Sequence, residues 1–127
     1  MMISNLFLFI PVIISAWKGE WIYFLIALGA SIFSPLYHYL KIYRVESNFF
    51  KPIKEMDWVF ATLSYTYMFY FIFKKVPSEF QIALTVLLSI TILFFWYGFK
   101  KGNYMKFHPW FHIFASLVSG LIVFMGI

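Results

Sequence analysis

The charged residues of this 127-residue chain fall into short clusters, and the stretches between the clusters are apolar. Five such stretches, the third with Asp57 at its mouth, predict membrane spans at residues 2–17, 21–40, 57–73, 80–99 and 107–127. A helix needs about 20 residues to cross the hydrocarbon core, with a range near 17–25. The second, fourth and fifth spans fit this length, and the first and third need flanking residues to complete the crossing.

The composition supports a membrane protein. The chain is 63% hydrophobic and only 12% charged, whereas a soluble domain is about half apolar and about a quarter charged. This excludes a soluble enzyme, a disordered tail and a nucleic-acid binder. The apolar runs do not alternate as barrel strands would. We therefore expect an all-α fold: a polytopic membrane helix bundle with about five transmembrane helices, forming a single domain over residues 1–127.

The basic residues predict the orientation of the bundle. If the N-terminus and the loops 41–56 and 100–106 share one face, that face carries seven Lys and Arg residues: Lys41, Arg44, Lys51, Lys54, Lys100, Lys101 and Lys106. The opposite face carries three: Lys18, Lys74 and Lys75. Cytoplasmic loops carry the excess of basic residues. We therefore expect an integral protein of a bacterial cytoplasmic membrane, with its N-terminus in the cytoplasm and its C-terminus outside. The first span lacks the basic region and cleavage pattern of a signal peptide, so we expect it to be retained.

Four ionisable residues fall within the spans: His38, Asp57, His108 and His112. Ionisable groups at membrane depth are costly and mark functional sites by default. Ser34 and His38 are four residues apart, as are His108 and His112, so each pair shares one helix face. Two imidazoles at this spacing can bind one metal ion. Because the chain has no cysteine, any metal must lie on His, Asp or Glu.

These four residues are also predicted to lie at one depth. The second span ends, and the third and fifth begin, on the same side of the membrane. The three histidines and Asp57 then lie one or two turns below the cytoplasmic surface. A histidine near a helix end often simply sits at the interface, and that explanation fits each residue alone. The common depth of the whole set favours a shared site.

The polar residues of the spans form an ordered pattern: Ser34-Pro35-Leu36-Tyr37-His38, then Asp57, then His108-Pro109-Trp110-Phe111-His112. This pattern resembles that of the CREST superfamily of membrane proteins, which includes alkaline ceramidases, progestin and adiponectin receptors, hemolysin III-like proteins and myomaker-related proteins. The resemblance covers residues 31–66 and 104–124. The superfamily typically has seven helices, whereas one span here separates the Asp helix from the His-xxx-His helix. With two helices fewer, the number of crossings remains odd, so the site residues can still meet on one side of the membrane. A homodimer could restore the walls of a lipid cavity.

The resemblance implies a catalytic zinc site. His38, His108 and His112 would be the metal ligands, and three imidazoles without a thiolate suit a tetrahedral Zn²⁺ with one open position. Zinc lowers the pKa of its water to about 7. Asp57 would orient or deprotonate this water as a general base, and Ser34 would hold the water or the developing oxyanion. The implied activity is that of a ceramidase-like lipid amidase or esterase, with a membrane lipid as substrate and no nucleic-acid partner.

Several alternatives stay open. Zinc could be structural in a non-catalytic protein of receptor-like or membrane-remodelling type, because the superfamily contains such members. A haem held between His38 and a histidine of the fifth span is a third possibility, although the His-xxx-His pair disfavours it. Pro35 should interrupt the helix hydrogen bonding and bend the second span, either opening an access path or having no functional role. The run Ser64-Tyr65-Thr66-Tyr67 either lines a polar pocket or packs with its hydroxyls bonded to helix carbonyls.

The orientation can be tested with reporter fusions. We expect fusions after Arg44 and after Lys101 to report the cytoplasm, and a fusion at Ile127 to report the outside, because of the uneven distribution of basic residues. If the fusions after Lys101 and Ile127 report the same side, the fifth span is wrong and the common depth of the histidines is lost with it.

Overall fold

The computed structural model describes residues 2–43, 48–100 and 104–126, and all regular structure in these ranges is helical. The described residues form six helices: α1 (Met2–Leu6), α2 (Phe9–Lys18), α3 (Trp21–Ile42), α4 (Phe50–Lys75), α5 (Ser78–Lys100) and α6 (Tyr104–Met125). The predicted all-α helix bundle is confirmed. Arg44, Glu46 and Lys101 of the predicted cytoplasmic loops lie outside the described residues.

Three of the described helices are long and apolar enough to cross a membrane, over Trp21–Lys41, Ser78–Tyr97 and His108–Met125. They indicate a membrane protein. Helix α4 has 26 residues, but its first two turns carry four charged residues: Lys51, Lys54, Glu55 and Asp57. The first predicted span is divided between α1 and α2. The total of five crossings stays a prediction.

Two helix boundaries differ from the sequence expectation. Helix α4 begins at Phe50, so residues 50–56 of the predicted 41–56 loop are helical. The first span is interrupted at Phe7 and Leu8. Pro11 explains this interruption, because it has no N–H to offer the carbonyl of Phe7 four residues earlier. The N–H of Ile10 donates to that carbonyl instead, at 3.0 Å, which tightens the chain locally.

A tight turn at Lys18-Gly19-Glu20 joins α2 to α3. Gly19 has φ 75°, a conformation that side chains disfavour, and its N–H donates to the Ala16 carbonyl. Glu20 directly precedes α3. Its carboxylate forms an ion pair with Lys75 at the end of α4, with Nζ and Oε1 2.7 Å apart. Exposed ion pairs contribute little stability. This ion pair nevertheless places the turn and the end of α4 at the same end of the bundle, opposite to the histidines.

The packing leaves a gap along one side of the bundle. Helix α3 packs mainly against α2 and α4, and α6 packs mainly against α2 and α5, whereas α4 and α5 contact each other sparsely. Among the described residues, the backbones of α3 and α6 do not pack directly against each other. The short helix α1 contacts both. The space enclosed by α3, α4, α5 and α6 is therefore filled by side chains or left open.

A close approach between α3 and α4 sets their register. A Cβ placed on Gly29 of α3 would overlap the ring of Phe60 on α4. That ring stacks on Phe33, one turn further along α3, with centroids 5.5 Å apart. Asp57 lies one turn before Phe60 on α4, towards the end of the bundle where α3 finishes. The glycine thus holds α4 near enough to bring Asp57 towards the histidine end of α3.

We expect Gly29→Leu to lower the free energy of unfolding by about 1–3 kcal/mol, the usual cost of overpacking. The measurement is unfolding in detergent, repeated in a Phe60→Ala background. The loss should be smaller in that background, because the overlapping ring is gone and the two sites are coupled. Equal losses in both backgrounds would show that the Gly29–Phe60 contact does not set the helix spacing.

Candidate metal centre

Three buried histidines meet where α3 ends and α6 begins. His38 lies one turn before the end of α3, and His108 and His112 lie in the first three turns of α6. Their side chains are 2%, 7% and 3% exposed. Because the backbones of α3 and α6 stand apart, the imidazoles bridge the space between them. The structure thus brings together all three histidines of the chain.

The ring nitrogens converge on one point. The Nε2 atoms of His38 and His108 are 3.0 Å apart. The ring centroid of His112 lies 4.4 Å from that of His108 and 5.1 Å from that of His38. Each histidine offers one nitrogen, and these three atoms all lie within 4.8 Å of one another. The cluster could therefore hold a metal ion.

The hydrogen bonding of the cluster fits a bound cation. Among the described residues, Nδ1 of His112 is buried and has no hydrogen-bond partner. A buried polar atom without a partner costs about 1–3 kcal/mol. A metal ion that accepts nitrogen lone pairs from the rings supplies what the protein alone does not. Three imidazoles without a thiolate suit a divalent first-row transition metal.

The surroundings of the histidines hold them in place. Ser116 donates a 2.6 Å hydrogen bond to the carbonyl of His112 one turn earlier. The rings of Phe95 and Phe111 lie 5.6 and 5.4 Å from the ring of His108. The haem alternative is disfavoured, because the His38 and His108 ring centroids are only 4.6 Å apart. A porphyrin cannot lie between rings that are already in contact.

A cavity of about 480 Å³ opens beside the histidines, between α3, α4, α5 and α6. Four of the five predicted site residues line it: Ser34, Asp57, His108 and His112. At the histidine end its walls include Tyr37, Lys41 and Trp58. Phe95 and Phe111 line it beside His108, and further along the bundle the walls include Phe69 and Ile92. The cavity therefore joins a polar, ionisable region to an apolar channel.

The two predicted non-ligand residues lie on opposite walls of this cavity. Ser34 on α3 is 5% exposed, and its Oγ makes a long 3.5 Å contact with Oδ1 of Asn5 on α1. Asp57 on α4 is half-buried. The structure thus gathers Ser34, Asp57 and two of the histidines around a single space, although their proposed roles stay predictions.

The sequence analysis missed three residues of this region: Asn5, Tyr37 and Lys41. Asn5 is the only carboxamide in the first apolar run, and the cost of a polar side chain in a membrane span could have marked it. Tyr37 directly precedes His38. Lys41 was assigned to a loop because it is charged, although its side chain forms part of the cavity wall.

A smaller cavity of about 80 Å³ lies next to the first and shares Ser34, Asp57 and His112 with it. It extends along the bundle to Tyr23, Ser64 and Ser119, and the Tyr23 hydroxyl lies 3.1 Å from the Ser64 Oγ. Its lining is mostly apolar but includes hydroxyl, carboxyl and imidazole groups, and a space of this size has room for several water molecules. We call it the inner chamber.

Both interpretations of the 64–67 run apply in part, and Thr66 fits both. Tyr65 and Thr66 line the large cavity, and Ser64 lines the inner chamber. The hydroxyl of Thr66 also donates a hydrogen bond to the Thr62 carbonyl, and Tyr67 stacks on Tyr23.

Helix α3 stays helical through Pro35. Because Pro35 has no N–H, the carbonyl of Ser31 lacks the helix hydrogen bond that it would normally accept from residue 35. This carbonyl lies about one turn before Ser34.

In comparisons with known proteins, no family model, curated protein or solved structure matches this chain. The chemistry of the site is therefore inferred from the residues and their geometry.

We expect the purified protein to carry close to one metal ion per chain, and His38→Ala, His108→Ala and His112→Ala each to abolish stoichiometric binding. Ser34→Ala is the control, because the serine lines the cavity without belonging to the histidine cluster, and it should retain the ion. Elemental analysis after chelator-free purification measures both. A chelator should also lower the unfolding temperature, because an ion bound only by the folded state stabilises it. Absence of metal in the wild-type protein would contradict the site.

Proposed function

We propose that this protein is a zinc-dependent membrane hydrolase that cleaves an amide or ester bond of a lipid near the cytoplasmic leaflet. The observation that carries the proposal is the arrangement of Ser34, Asp57, His108 and His112 around one cavity with a mainly apolar extension. The resemblance to the CREST superfamily, which contains ceramidases, supports the same chemistry.

Zinc fits the donor set best. His38, His108 and His112 would hold it, and sites with three protein ligands keep a fourth position for water or substrate. When bound, the ion supplies a Lewis acid that polarises a carbonyl oxygen and acidifies water. The absence of a carboxylate from the three-histidine cluster leaves Asp57 available for proton transfer.

Asp57 is the proposed general base. Its carboxylate lines both the large cavity and the inner chamber, so it is placed between the space for a lipid and the space for water. There it accepts a proton from the attacking water and returns it to the leaving amine or alkoxide. Ser34 on the opposite wall donates a hydrogen bond to the oxygen that gains charge. Each role needs only a short-range contact inside the cavity.

The large cavity suits a lipid tail. Its volume lies within the 300–1,000 Å³ that is usual for ligand pockets. Its apolar walls extend from the histidines between α4 and α5, where Ile92 is 38% exposed at the surface of the bundle. An acyl chain can therefore reach the site from the bilayer without the two helices that the superfamily has in addition. The inner chamber supplies water from the other side.

A second function is a non-catalytic membrane protein with a structural metal. The near-complete burial of the histidines and the 3.0 Å contact between His38 and His108 favour a closed site. Such a site would stabilise the bundle by joining α3 to α6. The two functions differ in what Asp57 does, because a structural metal site has no use for a base beside it.

We expect Asp57→Asn to retain the metal and to lower turnover of a long-chain acyl amide or ester by about 10²–10⁴-fold, the usual contribution of a positioned general base. The substitution keeps the size of the side chain and removes the carboxylate. Glu55→Gln is the matched control, because Glu55 lies on an exposed part of the same helix start, and it should leave turnover unchanged.

If zinc-dependent turnover is unchanged by Asp57→Asn, the protein is still a hydrolase, but Asp57 is not its general base. No zinc-dependent turnover across a broad set of lipid amides and esters would favour the structural-metal function.

A further inference from the structure

A lysine forms part of the wall of the large cavity. Lys41 lies on α3 three residues after His38, and it lines the cavity together with Asp57 and the histidines of α6. Its Nζ lies 5.7 Å from the centroid of the Tyr37 ring. A lysine that served only to orient the protein in the membrane would need no place in a ligand cavity.

A second lysine, Lys54, lies on α4 at the same end of the bundle, outside the cavity lining. Nζ of Lys54 lies 5.8 Å from the ring of Trp58, and Trp58 lines the cavity. Lys41 and Lys54 are close enough for their charges to repel each other. An anion placed between two ammonium groups is attracted by both of them and offsets their mutual repulsion.

The carboxylate of Asp57 limits where such an anion can lie. Asp57 lines the cavity and lies almost one turn further along α4 than Lys54, and it repels a negative group placed beside it. The anion is therefore favoured only at the mouth, between Lys41 and Lys54. Because a helix rises 1.5 Å per residue, Lys41 is displaced by about 5 Å along α3 from His38.

We propose that the cavity mouth binds the anionic group of the lipid, so that the substrate class is acyl lipids with a phosphate-like group within a few bonds of the scissile amide or ester. Lys41 and Lys54 hold the anion while the acyl linkage lies beside the histidines. The substrate class rests on the proposed hydrolase, whereas the binding of the anion does not require turnover.

The test uses two matched lipid pairs in neutral detergent micelles: ceramide 1-phosphate with ceramide, and dioleoyl phosphatidate with dioleoylglycerol. Binding is measured with the Asp57→Asn protein, which should not consume the lipids, by competition against a fluorescent analogue. We expect the phosphorylated member of each pair to bind at least 10-fold more tightly. Inorganic phosphate should compete weakly, because the acyl chain contributes the remaining contacts.

Lys41→Gln should remove most of this preference and leave binding of the unphosphorylated lipids unchanged. A charge-assisted hydrogen bond contributes about 1.5–3 kcal/mol, which corresponds to a factor of about 10–150. Lys41→Arg should keep the preference. Lys74→Gln is the matched control, since Lys74 is an exposed lysine at the opposite end of α4, and it should have no effect. Retained metal confirms that each variant is folded.

The possible outcomes separate the two proposals. A phosphate preference that depends on Lys41, in a protein without turnover, supports the anion site and overturns the hydrolase. Turnover with no difference in KM between the members of a pair overturns the anion site and retains the hydrolase. Equal weakening of both members by Lys41→Gln also overturns the anion site. Inhibition by inorganic phosphate as strong as that by the lipid phosphate would assign the mouth to free phosphate instead.

Discussion

The burial of three imidazoles at one point between α3 and α6 is the constraint on which the rest of the structure depends. Buried polar nitrogens need partners, and the contact between His38 and His108 leaves Nδ1 of His112 without one among the described residues. The two helices do not pack backbone against backbone, so the rings span the space that separates them. A cation held at their centre would satisfy the nitrogens and join the two helices.

The same spacing creates the cavity. Because α3 and α6 stand apart and α4 and α5 touch sparsely, an open volume extends from the histidines into the apolar part of the bundle. Its character changes along its length, from Lys41 and Asp57 at one end to Phe69 and Ile92 further along. A lipid has the same polarity gradient, with a polar headgroup and an apolar tail. The match supports a lipid as the ligand.

Much of this arrangement follows from the sequence. The charge-free runs predict helices, and helix periodicity puts Ser34 with His38 and His108 with His112 on shared faces. The predicted alternation of crossings puts His38, Asp57 and His108 at one end of the bundle, where the structure has them. The start of α4 at Phe50 and the break before α2 were not predicted. Charged residues indicate where an apolar span ends, but a helix can continue through them, as α4 does at its start. The break before α2 depends on Pro11, which leaves the Phe7 carbonyl without its usual donor.

The sequence by itself determined the helices, their order and the set of chemically distinctive residues, because these depend on hydrophobicity and on spacing within a helix. Only the tertiary structure decided that α3 and α6 are joined through side chains, that Asn5 contacts Ser34, and that Lys41 faces a cavity. These features depend on distances between helices, and small local contacts set those distances. One such contact is between Gly29 of α3 and the ring of Phe60 on α4, which leaves no room for a side chain at position 29. Neither residue is unusual in its own stretch of sequence, so the role of this pair in spacing α3 and α4 is visible only in the packed structure.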